Sequence, residues 1–165
     1  MNIVISKNPQ ELGKKAAKHT AELLNKAISE KGSARIVLST GASQFDTLKE
    51  LVKQDVDWSK VEMFHLDEYV NLSESHPASF RKYLKERFVQ QVPLKKAWFV
   101  NGEGDVQKNI QELTDAIRQA PIDVALIGIG ENAHIAFNDP PADFDTKEAY
   151  IVVTLDDDCK KQQVR

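Results

Sequence analysis

The stretch that most constrains the fold reads VALIGIGENAHIAFNDPP over residues 124–141. Its first four residues form a continuous apolar run, which is typical of a buried strand in a parallel sheet. Glycines and prolines interrupt the residues that follow, so no long helix can come next. A fold needs a short turn here, but it does not need His134 and Asp139 in that turn. The stretch therefore predicts a buried strand with a functional site at its carboxyl end.

Short apolar runs and amphipathic runs alternate along the rest of the chain. We predict strands near residues 3–5, 36–38, 61–66, 97–100, 124–127 and 150–155. We predict helices that begin near Asn8, Ser43, Pro77, Asp105 and Asp156, the first capped by Asn8 and ended by Gly32. This alternation predicts an α/β fold, a Rossmann-like parallel sheet with helices on both faces, in a single domain over residues 1–165.

The composition argues against several classes of partner. The net charge is −3, so no basic field attracts nucleic acid or an anionic membrane surface. No apolar run approaches the ~20 residues of a membrane-spanning helix, and the first residues lack the pattern of a signal peptide. Cys159 is the single cysteine, which excludes an internal disulfide and favours a reducing, cytoplasmic location.

Three unusual segments follow predicted strands, at residues 39–43, 67–69 and 128–139. The carboxyl ends of parallel strands meet at one edge of the sheet, where α/β proteins bind their ligands. In the first segment, backbone N–H groups at a helix start and the hydroxyls of Thr40 and Ser43 favour an anion. The alternative for that segment is a tight turn with Ser43 as a helix cap. We expect one site built from all three segments.

Asp67 and His134 are the side chains best suited to move protons. Burial at a strand end raises the pKa of a carboxyl toward neutrality, and a histidine titrates near neutral pH. Asp67 and Glu68 are adjacent on a strand, so their side chains should point to opposite faces and not act as a pair. Asn132 and Asp139 are close enough in sequence to orient His134. The alternatives are a solvated acidic loop and a structural histidine.

Residues 128–133 match the dinucleotide fingerprint Gly-x-Gly-x-x-Gly/Ala, but the context is wrong for a dinucleotide site. That fingerprint opens a crossover helix, whereas Pro140 and Pro141 end any helix here after a few residues. The four histidines are scattered, and no His or Cys pair has metal-ligand spacing. We therefore predict neither a dinucleotide site nor a metal site.

Three motifs identify a family. They read LSTGAS at residues 38–43, FHLDEYV at 64–70 followed by HPASF at 76–80, and GIGENAHIAFNDP at 128–140. In order and spacing, and over nearly the whole chain, they resemble the glucosamine-6-phosphate deaminase (isomerase) family. The resemblance implies conversion of glucosamine 6-phosphate and water to fructose 6-phosphate and ammonia, with no cofactor and no metal. The implied partner is a small-molecule sugar phosphate.

The related 6-phosphogluconolactonases share the fold, and two differences favour the deaminase. The lactonases are expected to have Asp-Glu-Arg where this chain has Asp67, Glu68 and Tyr69. They also lack the continuation found at residues 136–139. Lactone hydrolysis and a catalytically degenerate sugar-phosphate-binding module remain the alternatives.

The resemblance also implies roles for single residues. His134 would open the sugar ring, with support from Asp139 and Asn132, and Asp67 would move the C2 proton to C1. The loop implied to hold the sugar phosphate consists of Thr40, Gly41, Ala42 and Ser43.

Three departures from the family pattern affect these expectations. Asn132 stands where the best-known deaminases have aspartate, so we expect a weaker or differently tuned ring-opening step. Ala133 replaces a glycine, which is costly only if the backbone needs a positive φ. The family chain continues past position 165, so we expect this chain to lack the C-terminal part of the phosphate site and to have little activity alone. The resemblance also implies an arginine on the sugar phosphate in the last helix, and an ungapped alignment would put it at Arg165. The sequence leaves the oligomeric state open, a homo-oligomer included.

Overall fold

A computed structural model describes residues 2–130, 133–139, 141–155, 157 and 160 of the 165-residue chain. Within this part of the chain, a four-stranded parallel sheet has the order β3-β2-β1-β4. The strands are β1 Ala34–Leu38, β2 Val61–His65, β3 Lys96–Trp98 and β4 Val124–Leu126. The helices are α1 Pro9–Lys31, α2 Phe45–Leu51, α3 Phe80–Leu84 and α4 Val106–Ile117, and a π-helical turn at Lys85–Val89 continues α3.

Both ends of α1 follow the sequence signals. The Asn8 side chain accepts a hydrogen bond from the Glu11 backbone N–H at 2.8 Å. The Glu11 carboxylate in turn accepts from the Lys7 N–H at 2.9 Å, one residue before the position that a capping box would use. Gly32 ends the helix in the left-handed region, at φ 78°. The predicted start and stop of this helix are confirmed.

The sheet is covered by helices on both faces, because alternate side chains of a strand point in opposite directions. Ile36 and Leu38 of β1 pack in a core with α1, α2 and α3. Val37 of the same strand packs on the other face, in a cluster that includes Phe64 of β2 and Ala116 of α4. The predicted α/β architecture, a parallel sheet between two layers of helices, is confirmed.

The strand register brings three chain segments to one edge of the sheet. Leu38 at the end of β1 lies opposite His65 in β2 and Leu126 in β4. Backbone hydrogen bonds extend the ladder by one residue, from Leu66 N–H to Leu38 O and from Ser39 N–H to Leu126 O, both at 3.0 Å. The segments that follow β1, β2 and β4 therefore leave the sheet side by side.

Two predicted strands are wrong. Ile3, Val4 and Ile5 belong to no strand and are 76%, 63% and 87% exposed. Residues 150–155 also belong to no strand, although the Tyr150 hydroxyl donates to the backbone oxygen of His65 at 3.0 Å. Both segments have the apolar, β-branched composition of a strand. A strand also needs a neighbour that supplies its hydrogen bonds, and composition does not report one.

Two predicted helix starts have other outcomes. The third helix begins at Phe80 and not near Pro77, because the Ser79 side chain caps it by accepting from the Lys82 N–H. The helix predicted from Asp156 lies largely outside the described residues, and Cys159 and Arg165 do too.

Candidate active site

A cavity of about 230 Å³ lies at the carboxyl edge of the sheet and is bounded by the three predicted segments. Five of the predicted site residues line it: Thr40, Gly41, Ser43, Asp67 and His134. Ala42 does not line it, and Asp139 stands behind His134. Asn132 lies outside the described residues. The same wall includes Ser39, Phe80, Gly128, Gly130 and Phe137, which the sequence did not single out as site residues.

The loop after β1 depends on a backbone shape that suits glycine. Gly41 has φ 109° and ψ 165°, a region that other residues essentially do not occupy. Its carbonyl accepts hydrogen bonds from the Tyr83 hydroxyl at 2.9 Å and from the Gln44 N–H at 3.1 Å. One 3₁₀ turn at Ala42–Gln44 then leads into α2. Neither this turn nor α2 has a side-chain cap, so the alternative role of Ser43 as a helix cap is wrong.

Ser39 connects two parts of the site. Its side chain is buried, and its hydroxyl accepts a hydrogen bond from the Gly128 N–H at 3.0 Å. This bond joins the residue after β1 to the glycine turn after β4. A serine directly after an apolar strand was the available sequence signal, but it did not reveal which segment the hydroxyl would meet.

Asp67 lies at the cavity in a half-buried position, between this cavity and a larger, mostly apolar one of about 360 Å³. Burial raises the pKa of the Asp67 carboxyl to about 7, and the neighbouring charge of Glu68 acts in the same direction. The sequence predicted that burial would raise the pKa of this carboxyl, and that direction is confirmed. A carboxyl with this pKa is about half ionised at neutral pH, so it can both accept and return a proton.

Glu68 points away from Asp67, as predicted, into the first turn of α3. Its carboxylate accepts from the Ser79 hydroxyl at 3.0 Å and from the backbone N–H groups of Phe80 at 3.2 Å and Arg81 at 2.8 Å. The side chain is fully buried. The alternative of a solvated acidic loop is therefore wrong for this carboxylate.

Arg81 balances the buried charge of Glu68. Its Nε lies 3.4 Å from the Glu68 carboxylate, and only 5% of the residue is exposed. Its other nitrogens donate to Asn101 at 2.8 Å, the Leu72 carbonyl at 2.8 Å and Glu103 at 2.7 Å. The sequence carries no signal for this role of Arg81, because an arginine in an amphipathic helix is normally assigned to the exposed face.

The position of the His134 ring depends on a carboxylate that pairs with it and on a glycine that leaves room for it. Its Nδ1 lies 2.9 Å from Oδ1 of the buried Asp139. A Cβ atom on Gly130 would lie only 2.3–2.6 Å from the imidazole ring, so a side chain at position 130 would displace the ring. The Gly130 N–H donates to the His134 carbonyl at 3.0 Å. Packing against His134 therefore explains the glycine at position 130, without any role in nucleotide binding.

Two alanines on this segment have left-handed backbone. Ala133 has φ 66° and Ala136 has φ 53°. The sequence left open whether position 133 needs a positive φ, and the structure shows that it has one. The left-handed conformation costs an L-residue about 1–2 kcal/mol, so other contacts must offset this strain.

Two features of the described residues bear on the expected partners. The described part of the chain contains no helix with the length and apolarity needed to cross a bilayer. In the same residues, no three His, Cys, Asp or Glu side chains come together as a metal site would require.

Comparison with known proteins gives one consistent family. The sequence pattern of glucosamine-6-phosphate isomerases/6-phosphogluconolactonase matches residues 7–165. A glucosamine-6-phosphate deaminase of Lactobacillus delbrueckii subsp. bulgaricus is 34% identical over 155 residues, covering 93% of this chain and 64% of that protein. The deaminase of Streptococcus sanguinis is 32% identical, with the same two shares covered. The chain therefore spans slightly less than two thirds of the length of these curated relatives.

Solved structures with the same fold include members of both branches of the family. A monomeric glucosamine-6-phosphate deaminase superposes with a TM-score of 0.85 at 27% identity, covering 98% of this chain and 68% of that one. A 6-phosphogluconolactonase from Shewanella baltica superposes with a TM-score of 0.68 at 21% identity, covering 79% of this chain and 57% of that one.

Proposed function

Because the chain belongs to the family of glucosamine-6-phosphate isomerases and 6-phosphogluconolactonases, which are enzymes, we propose that it acts as a glucosamine-6-phosphate deaminase. The proposed reaction converts glucosamine 6-phosphate and water to fructose 6-phosphate and ammonia, without a cofactor. One observation carries the proposal. Asp67, whose pKa is about 7, and His134, which is paired with Asp139, line the same cavity.

His134 opens the sugar ring in the proposed first step. Nδ1 is engaged by Asp139, so Nε2 is the nitrogen that handles the proton. The C1 hydroxyl loses its proton, the bond from C1 to the ring oxygen breaks, and the ring oxygen receives a proton. The product is an open-chain aldehyde. The Asp139 carboxylate stabilises the imidazolium that forms while the proton is in transit.

Asp67 moves the second proton. Its carboxylate removes the proton from C2, the electron pair forms a C1–C2 double bond, and the C1 oxygen takes up a proton from solvent to become a hydroxyl. Asp67 then returns its proton at C1, and the amine gives one proton back to solvent as the C2–N bond becomes an imine. Water adds to C2, and ammonia leaves to give the ketose. A base that must also return its proton works best with a pKa near the working pH.

The polar side of the cavity is the proposed seat of the phosphate. Thr40 and Ser43 contribute hydroxyl groups there, and Gly41 allows the backbone to approach closely. The Tyr83 hydroxyl holds the Gly41 carbonyl and so fixes the direction of this peptide unit.

The test measures fructose 6-phosphate and ammonia released by the protein expressed from its complete gene. We expect Asp67→Asn and His134→Gln each to lower kcat by about 10²–10⁴-fold, the usual contribution of a positioned acid or base. His19→Gln is the matched control, because His19 is exposed on α1 beside Glu22 and should leave kcat unchanged.

Three results would contradict the proposal. Hydrolysis of 6-phosphogluconolactone without turnover of the aminosugar would assign the chain to the lactonase branch. Calorimetric binding of glucosamine 6-phosphate without turnover would make it a binding module. If both variants keep the parent's kcat, the assigned roles of Asp67 and His134 are wrong.

A further inference from the structure

Each proposed catalytic residue is followed closely by an aromatic ring. Tyr69 comes two residues after Asp67, and Phe137 comes three residues after His134. The two segments follow β2 and β4, which are separated in the sheet by β1. Nevertheless, the centroids of the Tyr69 and Phe137 rings lie 5.3 Å apart. The contact therefore joins the two halves of the site directly, above the edge of the sheet.

Phe80, the first residue of α3, completes the group. Its ring lies 4.9 Å from the Tyr69 ring and 5.9 Å from the Phe137 ring, and it is nearly parallel to the latter at 17°. We call Tyr69, Phe80 and Phe137 the aromatic clamp. The Phe137 ring also lies 6.4 Å from the His134 imidazole. All these separations, centroid to centroid, fall within the range in which aromatic rings attract one another.

The segment that carries His134 depends on such contacts. Residues 133–139 form no helix or strand and include the two strained alanines. Between described residues, the backbone hydrogen bonds of this segment are local, such as Ala133 N–H to Gly130 O at 2.9 Å and Asn138 N–H to Ile135 O at 3.3 Å. Local bonds define the shape of a loop, but they do not fix its distance from another segment.

The other side of the clamp is firmly anchored. The Phe80 N–H donates to the buried Glu68 carboxylate at 3.2 Å, and the Tyr69 N–H donates to the same carboxylate at 3.0 Å. Glu68 is held in turn by Arg81. The rings of Tyr69 and Phe80 are therefore anchored through Glu68, the neighbour of Asp67. The third ring, Phe137, belongs to the segment that carries His134.

We propose that the aromatic clamp positions His134 relative to Asp67, with Phe137 as the positioning residue on the His134 side. The proposal rests on the proposed function, because it assigns the clamp a part in catalysis through these two residues. Phe80 and Phe137 also line the 230 Å³ cavity, so the same rings contribute apolar surface to the site.

The kinetic test replaces the ring of Phe137 by a branched aliphatic side chain. We expect Phe137→Leu to lower kcat by about 10- to 100-fold while KM changes by less than about threefold, because a displaced catalytic group slows the chemistry more than binding. Phe144→Leu is the matched control, since Phe144 is 87% exposed and should leave kcat unchanged. Phe88→Leu disturbs the core ring pair with Trp58, and should lower stability without lowering kcat.

Hydrogen exchange tests the clamp without using activity. In Phe137→Leu the amides of Gly130 and Ala133, which bond within the His134 segment, should exchange on the order of tenfold faster. The Leu66 amide, which bonds to Leu38 in the sheet ladder, should keep its rate. If Phe137→Leu does not fold, Phe80→Leu removes a different ring of the clamp and is measured in the same way.

The outcomes separate this proposal from the proposed function. If the parent does not turn over glucosamine 6-phosphate, the proposed function fails, and faster exchange in Phe137→Leu still supports the clamp. Unchanged exchange in the variant overturns the clamp. If exchange rises but kcat does not fall, the rings hold the loop without positioning His134, and the positioning role is overturned.

Discussion

Asp67 and His134 line the same cavity, yet the chain around each is held in place by different interactions. Next to Asp67, the buried carboxylate of Glu68 accepts several hydrogen bonds and pairs with the buried Arg81. Next to His134, the segment has left-handed backbone at Ala133, and its described contacts include the Asp139 carboxylate and the ring of Tyr69. The part of the site around Asp67 is therefore fixed by buried charge, and the part around His134 by side-chain packing.

This difference predicts how each half fails. Removing one partner of a buried ion pair leaves an uncompensated charge, which lowers the stability of the whole fold. Removing a contact from a strained loop changes the geometry of the site before it unfolds the protein. Changes near Glu68 should therefore appear mainly in stability, and changes near His134 mainly in catalysis.

The largest expected effect comes from removing Arg81. Arg81→Met leaves Glu68 buried without its cation, so we expect the free energy of unfolding to fall by about 3–5 kcal/mol. Urea denaturation measures this change. The control is Lys82→Met, because the Lys82 side chain is 41% exposed and pairs with the exposed Glu86, a contact worth at most about 1 kcal/mol. Equal losses in the two variants would show that the buried pair does not anchor this half of the site.

A catalytic effect of intermediate size is expected at Asp139. Asp139→Asn keeps the shape of the contact to His134 but removes its charge. We expect kcat for glucosamine 6-phosphate to fall by about 10- to 100-fold, which corresponds to a charged hydrogen bond worth roughly 1.5–3 kcal/mol. Asp145→Asn, at an exposed position nearby, serves as the control. Parent-like kcat in Asp139→Asn would remove this carboxylate from the mechanism.

The pH dependence of stability tests the environment of Asp67. Its pKa is about 7 in the folded protein, above the ordinary value of 3.8. The folded state therefore retains a proton between pH 4 and pH 7 that the unfolded state releases, and the free energy of unfolding declines as pH rises through this window. Asp67→Asn removes this dependence. Its stability relative to the parent should rise from near zero at pH 4 to on the order of 1–2 kcal/mol at pH 8.

Urea denaturation of parent and variant at several pH values checks this prediction. Asp55→Asn, at an exposed position, should show no such trend. A difference between Asp67→Asn and the parent that stays constant from pH 4 to pH 8 would mean that burial does not raise the pKa of Asp67.

The smallest expected effect concerns the strained backbone. Ala133→Gly relieves the strain at φ 66° but adds freedom to the unfolded chain, so we expect a net gain in stability of about 0.5–1 kcal/mol. Ala16→Gly in the interior of α1 is the control and should cost about 1 kcal/mol. Thermal unfolding compares the two variants. A loss of stability in Ala133→Gly would show that position 133 is not strained.

Much of the fold was predictable because its signals are local. The cap at Asn8, the stop at Gly32 and the alternation of strands with helices depend on neighbouring residues and on periodicity. The strands predicted at residues 3–5 and 150–155 failed for the opposite reason. A strand requires a partner, and the partner's presence is not a property of the segment itself.

The candidate site divides in the same way. Local sequence patterns were enough to put Asp67 and His134 after strands of a parallel sheet, whose strand ends share an edge. The folded chain was needed to show that Arg81 is buried against Glu68, that Ser39 bonds to Gly128, and that the rings of the aromatic clamp meet. Each of these contacts joins residues that lie on different elements or loops of the chain. Their energies depend on distance and burial, which residue type and spacing do not encode.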